Sequence, residues 1–133
     1  MIALLLASTL AVAPLATDAL ASDAGFSLPS GRLGCELQDT SVRCDVRGAT
    51  FKALPRPASC PLVWGDALGV KATGRAFFVC HGDTVLGAAR PVLAYGARWR
   101  RGGFTCLSSP AGVRCTNGAG HGFELARSRY RLF

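Results

Sequence analysis

The segments CELQDTSVRC (residues 35–44) and CLSSPAGVRC (residues 106–115) have the same pattern of cysteines. Each begins and ends with cysteine, and each closes with Val-Arg-Cys. They lie near opposite ends of one short chain of 133 residues. The repeat raises the question of whether these cysteines are metal ligands, redox centres or structural disulfides.

The first segment has the side-chain order of a β-hairpin closed by its two terminal cysteines. In that pairing Leu37 faces Val42, and both lie on the sheet face that carries the disulfide. Glu36 faces Arg43 on the opposite face, where the two charges are predicted to form an ion pair. The turn falls at residues 38–41, Gln-Asp-Thr-Ser, which are residue types typical of turns.

The second segment sorts its side chains in the same way. Leu107 faces Arg114, and Ser108 faces Val113. The turn falls at residues 109–112, where Pro and Gly occupy positions that a type I turn favours. Two hairpins with consistent faces support disulfides more strongly than spacing alone does.

Six cysteines in a short chain with an export signal are typical of a disulfide framework. Six cysteines allow 15 pairings, and the count alone does not choose among them. The hairpins favour Cys35–Cys44 and Cys106–Cys115, which leaves Cys60 for Cys80. Structural zinc is the alternative, but zinc knuckles have two to four residues between cysteines, and eight separate them here. We therefore predict no metal site.

The N-terminal region is typical of a secretory signal peptide. Residues 2–16 are almost all apolar or small, and Ala19-Leu20-Ala21 fits a small-x-small cleavage pattern. The alternative is a buried N-terminal helix, and no Lys or Arg precedes Arg32. We predict a signal peptide over residues 1–21 and one secreted domain over residues 22–133, extracellular or periplasmic. No later segment has the roughly 18 consecutive apolar residues of a membrane span.

The predicted mature chain is strongly basic. The sequence has 15 Lys and Arg against 8 Asp and Glu, and only Asp18 is lost with the signal peptide. The net charge of residues 22–133 is then +8. Such a charge favours association with anionic partners and does not determine the fold.

The rest of the chain favours short strands. It contains 16 Gly and 7 Pro, and no segment has sustained helical periodicity. We predict an all-β fold, a small disulfide-stapled sandwich or barrel built from short hairpins. Residues 22–30 are interpreted as a leader, residues 76–80 as a buried strand and residues 84–86 as its return strand. Residues 127–132 are interpreted as a strand with its arginines on one face, after a bend or bulge near Ala126.

Candidate binding residues are basic or aromatic. Arginine beside an exposed aromatic ring can hold phosphate or stack on a base or sugar. A charged edge strand that prevents aggregation is the alternative explanation. The candidates are Trp99, Arg98, Arg100, Arg101, Arg127, Arg129 and Arg131. A place in the core is the equal alternative for Trp99, and the core is favoured for Trp64.

The two histidines are candidates for acid–base chemistry. His121 stands among three glycines, which suggests a pocket that a ligand can enter. The simpler interpretation places both His81 and His121 in turns with local hydrogen bonds. Ser128, Thr116, Asp83 and Glu124 could complete a triad, but no G-x-S-x-G, H-E-x-x-H, phosphate-loop or dinucleotide motif is present. We predict no cofactor.

Several segments resemble a family of secreted bacterial domains of unknown function, number 6636. The matching pieces cover nearly all of the predicted mature chain: FSLPSGRLGC, VRCDV, CPLVWGDAL, GRAFFVCHGDT, LAYG, GVRCTN and GHGFELARSRYRLF. The resemblance implies export and a disulfide-bonded domain, and it transfers no catalytic residues.

Together these features favour a noncatalytic binding module of the cell envelope or extracellular space. The expected partner is an anionic envelope polymer or an extracellular protein, and nucleic acid is not expected. The alternative is a small secreted hydrolase centred on His121.

Overall fold

The computed structural model describes residues 23–133, together with Ala3, Ala7 and Ser8. The predicted signal peptide and its cleavage point after Ala21 lie outside these residues, apart from those three isolated positions. The described residues form strands, turns and irregular segments, and none of them is helical. The all-β prediction is therefore confirmed. No helix in the described part of the chain is long and apolar enough to cross a membrane.

Ten strands form two five-stranded antiparallel sheets, each in simple chain order. The first sheet contains β1 (Gly25–Ser27), β2 (Leu33–Gln38), β3 (Ser41–Val46), β4 (Ala67–Lys71) and β5 (Phe77–Phe78). The second sheet contains β6 (Arg98–Arg101), β7 (Phe104–Ser109), β8 (Gly112–Thr116), β9 (Gly122–Leu125) and β10 (Tyr130–Leu132). The hairpins within each sheet need only short turns, which the abundant glycines and prolines supply, whereas residues 47–66 form a longer connection between β3 and β4.

Both predicted hairpins form in the predicted register. Cys35 pairs with Cys44 across β2 and β3, and Cys106 pairs with Cys115 across β7 and β8. All three disulfides are those that the hairpin pattern favoured, including Cys60–Cys80. No cysteine in the chain is free.

The predicted ion pair between Glu36 and Arg43 is wrong, although the two residues do face each other. Arg43 instead binds Asp45 on its own strand and Asp83, whereas Glu36 binds Arg90. A neighbouring segment lies over this face of the sheet, and its charges take the place of the cross-strand partner. Register is thus set by the hairpin, while charge pairing is set by what covers it.

The two sheets are related position by position. In each sheet one row of side chains runs across all five strands and points into the core. In the first sheet the row is Phe26, Cys35, Cys44, Leu68 and Phe78. In the second sheet it is Trp99, Cys106, Cys115, Phe123 and Leu132. The chain therefore folds as two similar halves, a relation that the sequence shows clearly only in the two cysteine segments.

The halves pack face to face as a sandwich with the two rows in contact. The sulfur atoms of Cys44 and Cys115 lie 3.6 Å apart, so the two hairpin disulfides touch in the core. The rings of Phe26 and Trp99 are 5.4 Å apart at their centroids and tilted. Aromatic pairs of this geometry contribute about 0.5–1.5 kcal/mol beyond their burial.

The third disulfide fixes the long connection between β3 and β4. Cys60 bonds to Cys80, and a short β-bridge joins Val63 to His81 beside it. The Trp64 indole donates a hydrogen bond of 2.8 Å to the Leu54 carbonyl and packs on Phe78. The connection contains three prolines, and its C-terminal half is therefore held against the first sheet.

Three local predictions are wrong. Residues 22–30 are not only a leader, because Gly25–Ser27 form the edge strand β1. Residues 84–86 are not a return strand; together with the rest of residues 83–90 they lie over the outer face of the first sheet. Residues 127–132 are not one strand either, because a turn closed by Ala126 N–H and the Arg129 carbonyl joins β9 to β10. Ala126 does mark the break, as its pattern indicated, but the break is a turn.

The arginine face, a candidate binding site

The outer side of the second sheet carries a concentration of positive charge. Strand alternation places a second row there, and it consists of Arg98, Leu107, Arg114, Glu124 and Arg131. Arg100 lies on the same side, two residues along β6. We call this surface, defined by Arg98, Arg100, Arg114, Arg131 and Glu124, the arginine face. Its four arginines and one glutamate give it a net charge of +3.

The centre of the arginine face is ordered by its own contacts. One oxygen of Glu124 accepts hydrogen bonds from Arg114 at 2.8 Å and from Arg131 at 3.1 Å. Both guanidinium groups also lie over the Phe133 ring, 4.7 and 4.8 Å from its centroid. Stacking and pairing restrict two long side chains, so a ligand loses less conformational entropy when it binds them. Each guanidinium has five donors and uses one of them on Glu124.

Glu124 stays ionised at neutral pH. The hydrogen bond from Arg131 lowers the pKa of this carboxyl below its ordinary value of 4.5, partial burial opposes that effect, and the charge of Arg131 and the contact with Arg114 add to it. A lowered pKa means that the two ion pairs stabilise the folded chain above about pH 4.5 and are lost as the pH falls through the lowered value. The pattern of one anion between two cations is therefore constant across the neutral range.

A pocket of about 370 Å³ opens beside this cluster. Its polar lining includes Arg114, Glu124, Arg129 and Arg131, and its apolar lining includes Leu107, Ala111, Ala126 and Tyr130. A second depression of about 180 Å³ continues from Leu107 and Arg114 toward Arg98. The arginine face is thus a shallow groove that crosses the sheet, with apolar surface at one end.

The outer face of the first sheet is built differently, because the chain covers it. Its counterpart of Arg114 is Arg43, which is buried and binds both oxygens of Asp45 at 2.7 and 2.8 Å. Asp83 reaches Arg43 from above with its carboxylate and its main-chain carbonyl, each at 3.1 Å. We call residues 83–90 the covering segment.

Charge and burial act in opposite directions at Arg43. Burial disfavours the guanidinium charge, but the hydrogen bonds and charges of Asp45, and then of Asp83, outweigh it and raise the pKa. The same contacts hold the pKa of Asp83 below its ordinary value of 3.8. The link from Asp83 therefore stabilises the fold at neutral pH and is lost only as the pH falls through that lowered value.

Glycines show the same difference between the two faces. A Cβ on Gly34 would lie 3.2 Å from the Leu86 side chain of the covering segment. The absence of a side chain at Gly34 therefore allows the covering segment to lie close to the sheet. The counterpart of Gly34 in the second sheet is Thr105. Gly25 and Gly69 likewise have the long side chains of Arg98 and Glu124 as counterparts. The first face is shaped to be covered closely, and the second presents long polar side chains.

The predicted site residues do not all meet on this surface. Arg98, Arg100 and Arg131 lie on the arginine face, and Arg129 lies at the rim of its pocket. Arg101 pairs with Phe104 at the end of β6, on the side that faces the core. Arg127 lies in the turn before β10, where its Nε donates to the Gly48 carbonyl at 3.0 Å.

The interpretation of Trp99 as an exposed stacking residue is wrong. Its side chain is 0% exposed, and its indole N–H donates to the Asp23 carbonyl at 3.0 Å. Alternation along β6 explains the error, because the residue between two outward arginines must point into the core. Trp99 therefore stabilises the sandwich and is not available to a ligand.

The histidines occupy unlike surroundings. His81 is buried, and its two ring nitrogens contact Asp66, at 2.6 Å, and the Asp83 carbonyl. The His121 main chain is held by Asn117 in the β8–β9 loop. Within residues 23–133, no carboxylate or hydroxyl group makes a hydrogen bond to the His121 ring. The hydrolase alternative therefore has no hydrogen-bonded triad at the His121 ring among the described residues.

The glycines around His121 have structural reasons. Gly120 has a φ of +83°, a conformation that favours glycine in a turn. A Cβ on Gly122 would lie only 2.0 Å from the Cys115 carbonyl oxygen, so β9 can pair closely with β8 only if this residue is glycine. The glycine spacing therefore reflects a tight strand connection.

Three cysteine sulfurs in the core lie within 4.8 Å of one another, those of Cys35, Cys44 and Cys115. This is a spacing that a metal ion could bridge in a reduced protein. All three belong to disulfides, so they lack the thiolate that binds zinc. The cluster is the contact between the two hairpin disulfides.

The sequence prediction missed the residues at the centre of the arginine face. Arg114, Glu124 and Phe133 were not proposed as binding residues. The hairpin register did contain a signal, because it placed Leu107 opposite Arg114 on the side away from the disulfide. The pairing of β8 with β9, which brings Glu124 beside Arg114, was not predicted.

Comparison with known proteins gives one family. Residues 2–133 match the model of a family of unknown function, DUF6636. The chain belongs to this family. No curated protein and no solved structure matches the chain. Membership in DUF6636 confirms the resemblance seen in the cysteine hairpins and the C-terminal segment, and it carries no activity.

Proposed function

We propose that this chain is an exported, noncatalytic binding module that holds an anionic partner on the arginine face. The difference between two equivalent surfaces carries the proposal. The first outer face is closed by the chain's own covering segment, through Arg43. The second outer face has Arg114 at the position equivalent to Arg43, together with three further arginines. Among the described residues, no segment lies over it as residues 83–90 lie over the first face.

The chemistry of the arginine face supports an anionic ligand. The side chains of Arg114 and Arg131 are 46% and 57% exposed, and both are held by Glu124 and Phe133. A fixed guanidinium presents a planar set of donors that matches carboxylate, sulfate and phosphate groups. The groove past Leu107 allows a ligand to contact several arginines at once.

The disulfides support export. Three disulfides and no free cysteine are typical of proteins that work in an oxidising compartment. Together with the apolar N-terminal segment, this supports a role in the periplasm or the medium. An anionic envelope polymer and an extracellular protein are the partners that such a module meets there. No feature of the His121 surroundings favours the alternative of a hydrolase.

Binding to a polyanion is expected to weaken steeply with salt and with loss of the arginine face. Replacing Arg98, Arg114 and Arg131 with Gln removes three charged contacts, which corresponds to about 2 kcal/mol, or about a thirtyfold lower affinity. The measurement is binding of the oxidised protein to isolated envelope fractions and to a sulfated polysaccharide from 50 to 500 mM salt, which shortens the Debye length roughly threefold.

The matched control replaces Arg47, Arg56 and Arg75, which are exposed and lie off the arginine face. It has the same total charge as the test variant. If both variants lose affinity equally, binding follows net charge and the arginine face is not the site. Unchanged binding after loss of Arg98, Arg114 and Arg131 would also contradict the proposal.

Glu124→Gln is expected to strengthen binding of the sulfated polysaccharide about threefold at pH 7. The carboxylate competes with the ligand for two guanidinium groups, and removing one nearby charge is worth ~0.6 kcal/mol in a solvent-exposed site. Wild-type affinity should also rise as the pH falls through the lowered pKa of Glu124, because protonation frees Arg114 and Arg131. Titration by calorimetry between pH 7 and 3.5 measures both effects. The variant should lack the rise that belongs to this carboxyl; weaker binding by the variant at pH 7 would show that Glu124 serves mainly to position the arginines.

A further inference from the structure

The covering segment on the first sheet shows which kind of polypeptide can bind the equivalent outer face of the second sheet. There, Asp83 gives Arg43 both a carboxylate and a main-chain carbonyl. The next residues stay over the sheet through a bend and a turn: Thr84 and the Val85 N–H donate to Asp45 at 3.0 and 3.1 Å. Leu86 then packs over Gly34. An acidic residue followed by one threonine and then by two aliphatic residues is thus the sequence that covers an arginine-centred sheet in this fold.

The second sheet has side chains at equivalent positions, and none of the described segments covers them as residues 83–90 cover the first sheet. Arg114 occupies the place of Arg43, and Arg98 and Arg131 flank it in the same row. The place of Gly34 is taken by Thr105, whose side chain prevents an equally close approach at that end. At the other end, Leu107 stands where the first sheet has Glu36. The favourable path for a docked segment is therefore shifted toward Leu107.

The pocket at Leu107 decides between ligand classes. Leu107, Ala111 and Ala126 provide apolar surface in the same pocket as Arg114. A sulfated or phosphorylated polymer has charge for the arginines but no aliphatic group for this pocket. A polypeptide that carries an acidic residue next to an aliphatic residue satisfies both, because it can bind the guanidinium groups and remove the apolar surface from water.

We propose that the arginine face docks an acidic segment of a partner protein, with a carboxylate on Arg114 and an aliphatic side chain in the pocket at Leu107. The proposal rests on the proposed function and names its partner class. The covering segment shows the type of sequence expected, Asp-Thr-Val-Leu at residues 83–86. Charge complementarity supports the same partner, since the face has a net charge of +3.

The test uses three probes against the oxidised protein: a twelve-residue peptide with two Asp-Thr-Val-Leu repeats, the same peptide with every Val and Leu replaced by Ser, and inorganic polyphosphate. We expect the first peptide to bind at least about tenfold more tightly than the second, a factor that one buried aliphatic side chain accounts for. Amide chemical shifts should change along β7, β8 and β10, where the groove lies, and much less in the first sheet.

Two single substitutions separate charge from the pocket. Arg114→Gln should weaken the first peptide and polyphosphate alike, by about threefold. Leu107→Ser should weaken only the first peptide, by about tenfold, because polyphosphate does not use the pocket. Arg47→Gln, off the groove, should change neither. Thermal melts of each variant confirm that the fold is retained.

The outcomes keep the two proposals apart. If polyphosphate binds through Arg114 but the aliphatic peptide has no advantage over the Ser peptide, the acidic-segment proposal is overturned and the anion-binding function stands. If Leu107→Ser weakens polyphosphate as much as the peptide, the pocket has no selective role and the proposal also fails. If no probe binds to the arginine face at any salt concentration, both proposals are overturned.

Discussion

Reduction of all three disulfides is expected to unfold the chain at 25 °C. Two of them close hairpins of ten residues and one closes a loop of 21. In the chain-entropy model these loops contribute about 2.7, 2.7 and 3.3 kcal/mol. Together they equal the whole free energy of unfolding of a typical domain, about 5–15 kcal/mol. The core adds a further reason, since two of the disulfides are in contact there and cannot be removed without a cavity.

The fold is measured by circular dichroism and by the dispersion of amide proton chemical shifts in NMR spectra, before and after reduction under non-denaturing conditions. Replacing one pair at a time separates the contributions. Cys106→Ala with Cys115→Ala should lower the free energy of unfolding by more than Cys60→Ala with Cys80→Ala, although the second loop is longer. The Cys106–Cys115 disulfide is fully buried against its twin, while the Cys60–Cys80 disulfide is closer to the surface. A reduced protein with native amide dispersion would show that packing alone specifies this fold.

The hairpins could be predicted because their constraints are local. Within ten residues the sequence specifies the turn, the two faces and the covalent closure, and only one register satisfies all three. The pairing Leu107–Arg114 was therefore available without any knowledge of the rest of the chain. The assignment of disulfides followed, since two pairs left only one combination for Cys60 and Cys80.

The arginine face could not be predicted as fully, because it depends on contacts between strands far apart in sequence. Arg114 becomes part of a site only when β9 brings Glu124 beside it, and β10 brings Arg131 beside Glu124. Arg43 has an identical local context, Val-Arg-Cys, and yet it is buried. The difference lies in the covering segment, whose path over the first sheet has no periodic signal in the sequence.

Trp99 was misplaced for a simpler reason, since the alternation of side chains along β6 was not applied to it.

Asp45→Ala is expected to destabilise the chain by about 3–5 kcal/mol, the range for removing one partner of a buried ion pair. The Asp45 carboxylate is 1% exposed and accepts four hydrogen bonds: two from Arg43, one from Thr84 and one from the Val85 N–H. Its loss leaves the Arg43 charge buried with only Asp83, and it detaches the covering segment at two further points. Urea titration and thermal melting measure the change, and the loss of 3 kcal/mol should lower the melting temperature by more than about 10 °C.

The control is Glu124→Gln, at the centre of the other outer face. Glu124 also binds two arginines, but the Arg114 and Arg131 side chains are 46% and 57% exposed, so its removal should cost less than about 1 kcal/mol. A double variant, Arg43→Met with Asp45→Leu, removes both buried charges together and should recover most of the stability lost by Asp45→Ala, because the cost comes from the unpaired charge. If Asp45→Ala and Glu124→Gln had equal small effects, the covering segment would not hold Arg43 away from water. The contrast between a closed and an open arginine surface, on which the proposed binding function depends, would then be lost.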